Sequence, residues 1–220
     1  MSIAEQIYGS LKAKILSGSI HPGDRLFEVE IAKSFKASRT PVREAFRRLE
    51  QDFLVERTAQ GGVRVPEIDI NAIEDLFKLR MVLECFAIEI ACQRITLEQI
   101  TKLREIKAQA QELLKLNQMD SEFVLSRFVE LNSSFHDTIY KATGNKFLVR
   151  SINNLREILL SMRTMSIQAD NACDQSWQEH SLLVEYLANR DVEAATGLIR
   201  THIKNAYNQL LTVFGKSTPK

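Results

Sequence analysis

Two sets of side chains in this sequence have the type and spacing to do chemistry. The first is basic: Lys33, Lys36, Arg39, Arg43, Arg47 and Arg48 stand against Glu44 alone, a local charge of +5 in a chain whose total is +1. Arginine offers paired donors that match guanine edges in the major groove of DNA. A basic run taken alone is more often a solvated helix face. The second set is His136, His180 and His202, with Asn132 four residues, hence one helical turn, before His136. Three imidazoles on three helices, joined by an amide oxygen at helical spacing, suit a metal, whereas a lone helical histidine usually packs and hydrogen-bonds.

The elements that position the basic set follow from caps and periodicity. Thr40 reads as a helix N-cap and Pro41 as the first helical residue. Val42, Ala45, Phe46, Leu49 and Phe53 then form a core-facing stripe, while Arg43 and Arg47 share the opposite face with Arg39 just before the cap. Upstream, Leu26, Val29, Ile31, Ala32 and Phe35 predict a second short helix, joined through Lys36-Ala37-Ser38 in the manner of a helix-turn-helix. Downstream, 53–58 and 63–65 are β-prone runs either side of Ala59-Gln-Gly-Gly62, which predicts a hairpin. Residues 3 to 17 place Ile3, Ile7, Leu11, Ile15 and Leu16 on one face of a first helix, ended by glycines and Pro22. The plan is that of a winged helix-turn-helix, with a recognition helix for the major groove and a glycine-tipped wing for the backbone.

The runs Arg25-Leu-Phe-Glu-Val-Glu-Ile-Ala32, Ser38-Arg-Thr-Pro-Val-Arg-Glu-Ala-Phe-Arg-Arg-Leu-Glu50, Leu54-Val-Glu56 and Gly62-Val-Arg-Val65 resemble the DNA-binding domain of GntR-type bacterial transcriptional regulators. That resemblance implies base and phosphate contacts for Ser38, Arg39, Thr40 and Arg43, with Arg47 on the same face, and a wing glycine in Gly62. Gly61 and Ala59 stand where the family often has Arg and Pro, which implies a weaker grip by the wing.

The expected division is 1–66 for the winged domain, 67–72 for a hinge opened by Pro66, and 73–215 for an all-α bundle, so the fold class is mainly α. Residues 1–66 hold eleven Lys and Arg against eight Asp and Glu, which leaves −2 for the remainder. A basic head on a faintly acidic body suits a nucleic-acid partner. Six helices are expected, near 70–94, 97–117, 121–142, 145–168, 174–189 and 191–214. Bundles of this kind place ligand and metal sites between facing helices.

Leu131-Asn-Ser-Ser-Phe-His136, Glu179-His180, Arg190-Asp-Val-Glu-Ala-Ala195 and Thr201-His-Ile203 resemble the FCD effector domain found in one large GntR subgroup, with a helix count like the VanR type. In that domain an Asp and three His bind a divalent metal, so the resemblance implies Asn132, His136, His180 and His202 as ligands. It also implies a pocket arginine in Arg80, within Leu79-Arg-Met-Val-Leu-Glu84, while Arg156 and Arg163 are further candidates from the turn-spaced face they share. For each arginine the alternative is a salt bridge, such as Arg80 with Glu84. Asn132 replaces the usual Asp and removes a negative charge. Three imidazoles and an amide would leave a dication nearly uncompensated in a buried pocket, so a small carboxylate effector is expected to complete the site. Imidazole-rich ligation favours zinc or nickel.

Apolar residues make up 45% of the chain and charged ones 26%, the balance of an ordinary globular protein. With no long apolar run and no signal-peptide pattern, the expectation is a cytoplasmic protein without membrane contact. Cys85, Cys92 and Cys173 lack C-x-x-C spacing and read as reduced, packed thiols. The function expected is a ligand-responsive transcriptional regulator, a repressor or an activator, acting as a homodimer on a two-fold symmetric operator of double-stranded DNA. The alternatives are an enzyme built on a three-histidine metal centre and a DNA binder without effector. The enzyme lacks support in any His-Glu-x-x-His, phosphate loop or Ser/His/Asp grouping.

Overall fold

The computed structural model describes residues 1–67, 70–116, 122–167 and 172–217, with the side chains of 122, 160–167, 172–174 and 213–217 outside the description. Contacts divide the chain into two compact units, Met1–Ile73 with Arg156–Ser161, and Glu74–Leu155 with Met162–Lys220.

The first unit begins with α1 (Ile3–Leu16), whose Ser2 and Glu5 form a reciprocal capping box. It continues through β1 (Arg25–Leu26), α2 (Glu28–Ser34), α3 (Arg39–Gln51), β2 (Glu56–Arg57) and β3 (Val63–Arg64). Both α1 and α2 pack on α3. Ile7, Leu11, Val42, Ala45, Phe46, Leu49 and Val63 are among the side chains that fill the core between them. The strands form an antiparallel sheet in the order β1-β3-β2, with Leu26 opposite Val63 and Arg57 opposite Val63 on the other side.

Three local expectations are corrected here. Helix α3 starts at Arg39 with Ser38 as its N-cap, so Pro41 sits third in the helix, where its missing N–H is still one of the orphan donors. Phe53 does not join the stripe, because the helix ends at Asp52, Phe53 takes φ +59° and its side chain is exposed. Leu26 lies in β1 rather than in the second helix, and its side chain is buried in the core from the sheet.

The second unit holds six helices among the described residues: α4 (Ile70–Arg94), α5 (Leu97–Lys115), α6 (Glu122–Ala142), α7 (Lys146–Ile167), α8 (Ala172–Ala188) and α9 (Val192–Ser217), except that residues 70–73 of α4 and 156–161 of α7 are grouped with the first unit. Residues 68 and 69 of the expected hinge lie outside the described residues, and helix already occupies 70–72. A capping box of Thr96 and Gln99 opens α5. Arg190, at φ +56°, donates to the carbonyls of Cys92 and Ile95 and so closes the free end of α4. Helix α5 packs on α6 and α8, and α8 on α9. None of the helices in the described residues is long and apolar enough to cross a membrane.

Candidate functional site

The buried stripe of α3 fixes the direction of its basic side. Val42, Ala45, Phe46 and Leu49 face the core, so Ser38, Arg39, Thr40, Arg43 and Arg47 are all exposed. Arg39, Arg43 and Arg47 recur every four residues and form one row. Arg48 leaves the basic surface, because its guanidinium stacks at 4.1 Å on the ring of Tyr8, whose hydroxyl donates to Asp52 at the end of α3. Arg43 Nε donates to Glu28 Oε2 at 2.8 Å. Gly62 takes φ +76°, and a Cβ there would stand 2.4 Å from the Leu26 carbonyl oxygen. Its place in the wing is therefore fixed by the approach of β1 to β3.

In the second unit, His136 on α6, His180 on α8 and His202 on α9 are brought together. Candidate ligand nitrogens from the three rings all lie within 4.8 Å of one another. Ring centroids are 4.9 Å apart for His136–His180 and His180–His202, and 5.5 Å for His136–His202. The three residues are at most 6% exposed. Phe135 stacks on the His180 ring at 4.4 Å and Trp177 meets it edge-on at 4.7 Å, an apolar wall that keeps water from the imidazoles. Asn132 is buried one turn before His136, and its Nδ2 makes no hydrogen bond among the described residues. The three buried imidazoles form a donor set that could hold a transition-metal ion such as zinc or nickel.

Two polar groups stand behind the histidines. His202 Nδ1 lies 2.6 Å from Glu179 Oε2, while Asn205 Nδ2 donates to the other carboxylate oxygen at 2.6 Å. His136 Nδ1 lies 3.1 Å from the Tyr140 hydroxyl, which donates to Glu84. Glu84 also accepts from Arg80 Nε. Burial pushes the Arg80 guanidinium towards release of its proton, but the Glu84 carboxylate and Tyr140 beside it win, and its pKa rises.

Arg80 thus occupies the ion pair that sequence reasoning set against a pocket role, and it does so in the core, at 5% exposed, rather than at the surface. Arg156 is half-buried on α7, in the stretch grouped with the first unit. The side chain of Arg163 lies outside the described residues, as does that of Cys173. Tyr140 and Glu179 were missed as site residues. The readable signal for Tyr140 is its position one turn after His136, and for Glu179 it is adjacency to His180.

Residues 3–65 match the model of the gntR family of bacterial regulatory proteins, and residues 75–205 match the FCD domain. The chain belongs to the GntR family and carries an FCD domain. This makes it a DNA-binding transcriptional regulator. It is 28% identical over 198 residues to the Nta operon transcriptional regulator of Aminobacter aminovorans, covering 90% of each chain. Over 202 residues it is 27% identical to the transcriptional repressor RspR of Escherichia coli, covering 92% of this chain and 86% of the relative. The E. coli McbR/YncC structure shares the fold, with a TM-score of 0.77 at 21% identity over 99% of this chain and 100% of that one. In a GntR/FCD regulator the first unit is the part that binds DNA and the second the part that senses an effector.

Proposed function

We propose that this GntR/FCD regulator is a homodimeric repressor of a two-fold symmetric operator, controlled by a small carboxylate that binds together with a divalent transition metal. The reading is carried by one observation, the convergence of three buried histidines from α6, α8 and α9 within 4.8 Å. Ring nitrogens from three helices that lie within reach of one another can be shared by a single cation, and imidazole donors suit a transition metal. The likeness to RspR supports repression as the direction of control.

One recognition helix reads few base pairs, and a symmetric dimer pairs two half-sites, so an operator with matching symmetry follows. Ser38, Arg39, Thr40, Arg43 and Arg47 would meet the major groove, with the wing around Gly62 alongside. Such a protein works in the cytoplasm, where the DNA is.

Among the possible ligands, His136, His180 and His202 would hold the ion, with Asn132 as the fourth. The metal would supply a positive centre for an anionic effector. The charge count from sequence omitted Glu179, whose carboxylate behind His202 offsets part of that charge. Glu84 contributes less, since Arg80 already neutralises it. A net positive charge would remain for an anionic effector to neutralise.

Calorimetric titration of the metal-free protein with zinc and nickel, followed by a panel of small carboxylic acids, tests the reading alongside gel shifts on operator DNA. Expected are micromolar or tighter metal binding, an acid that binds only to the metal-loaded protein, and loss of the operator complex when both are present. Effector binding untouched by chelator and by His180→Ala would sink it.

A further inference from the structure

We infer that Tyr140 and Glu179 are positioning residues that hold His136 and His202 as Nδ1–H tautomers, so that both rings present Nε2 to the point where the three imidazoles meet. The inference rests on the reading of those imidazoles as a metal site.

The argument is a count of protons. Tyr140 has one hydroxyl proton, and its oxygen lies against the Glu84 carboxylate, which also receives the Arg80 Nε–H. With Arg80 beside it Glu84 is ionised and accepts only, so the phenol proton goes to Glu84. What Tyr140 then offers to His136 is a lone pair. The contact at 3.1 Å from Nδ1 is therefore a hydrogen bond donated by the ring, and the proton sits on Nδ1. At His202 the same follows in one step. Glu179 Oε2 accepts from Nδ1 at 2.6 Å, and Asn205 steadies the carboxylate through its other oxygen.

A neutral imidazole with its proton on Nδ1 carries its lone pair on Nε2. Both partners therefore choose the ligating atom before any ion arrives, and a hydrogen-bonded ring is also a stronger donor. Exposure is 0% for Tyr140, Glu84 and His136 and 5% for Arg80, so water does not compete for these contacts. This accounts for Arg80 and Glu84 in the core, where an ion pair by itself adds little stability. Together they pin the acceptor that orders Tyr140.

Long-range 1H–15N correlation spectra of the metal-free protein at pH 8 read the tautomers directly. His136 and His202 are expected to show a protonated Nδ1 and a bare Nε2. In Tyr140→Phe, His136 should lose that preference and zinc affinity should fall 10- to 100-fold, the usual effect of losing such a partner. Glu179→Ala should act likewise on His202, whereas Glu179→Gln, which keeps an acceptor, should restore the tautomer. An Nε2–H ring at either position in the wild type overturns the inference, as does wild-type zinc affinity in both Tyr140→Phe and Glu179→Ala. The wild-type spectrum decides the tautomers even if a variant fails to fold. Correct tautomers in a protein that takes up neither zinc nor nickel would instead overturn the metal reading on which the inference stands.

Discussion

Arg43 and Glu28 are joined across the two helices of the helix-turn-helix, Nε to Oε2 at 2.8 Å, with Arg43 61% and Glu28 18% exposed. The bond uses Nε and leaves the two terminal amino groups unspent on Glu28. Those are the donors that pair with guanine O6 and N7. Holding the side chain from behind removes part of the ordering cost on binding. Arg43→Ala is expected to cost roughly 1 to 3 kcal/mol at one base pair. Glu28→Gln should show a smaller loss at the same base pair. Fluorescence anisotropy on the operator and on its single-base-pair variants measures both. A uniform loss over all sequences would make Arg43 a phosphate contact.

Gly62 answers to the sheet. Alanine there must hold φ +76° and place a methyl group 2.4 Å from a backbone carbonyl that cannot move without unpairing β1 from β3. The expected loss is roughly 2 to 4 kcal/mol, of which the left-handed backbone accounts for about 1 to 2 and overpacking for the remainder. Gly61→Ala has a positive φ but open space around it, so it should lose only the backbone part. Urea unfolding of the two variants compares them.

The helices of the second unit were legible because each carries an unbroken apolar period and a clear stop, such as Thr143-Gly144 or Asn189-Arg190. The three histidines were legible by type, and their meeting followed from the bundle. Boundaries decided by a single interaction were not. Nothing local distinguishes Ser38 from Thr40 as the cap of α3, and Leu26 joins a strand because β3 passes beside it. Tyr140 and Glu179 escaped because their role depends on which atom of a neighbouring ring they touch. That is set by packing between helices rather than by spacing along one.

Arg80 separates a structural role from a binding one. Removing one partner of a buried pair leaves the other charge uncompensated, so Arg80→Ala is expected to destabilise the protein by about 3 to 5 kcal/mol. Exposed Arg47→Ala should stay within about 0.5 kcal/mol. Thermal unfolding of the metal-free proteins distinguishes them, and a fully stable Arg80→Ala with lost effector binding would return Arg80 to the pocket.

Cys85 and Cys92 are free and buried. Burial pushes both thiols up, opposed in part by the charge of Arg200 at Cys85 and of Arg190 at Cys92. A raised folded pKa gives stability that is complete below the unfolded pKa and is lost as pH rises through the folded value. Stability should therefore hold steady near neutrality and fall above about pH 8.5, the ordinary thiol range. In a Cys173→Ser background, Ellman's reagent at pH 8 should label the native protein far more slowly than the urea-unfolded chain. Equal rates would place the thiols at the surface.

If the histidines hold a metal as proposed, Asn132 would set the balance between metal and effector. An aspartate one turn before His136 would neutralise part of the dication from within its coordination shell, whereas the amide leaves that charge for an incoming anion. Glu179, in contact with His202 Nδ1, would offset part of that charge through the ring. By linkage, a carboxylate that tightens metal binding is itself bound more tightly when the metal is present, with couplings of about 1 to 3 kcal/mol. Asn132→Asp should raise zinc affinity and shrink that coupling, because charge and coordination are then met without the effector. Competitive titration against a zinc chelator, with and without the acid found active in gel shifts, gives both quantities from one series. Unchanged zinc affinity in Asn132→Asp would show that the fourth position is filled from elsewhere, and that the amide at 132 is a packing residue.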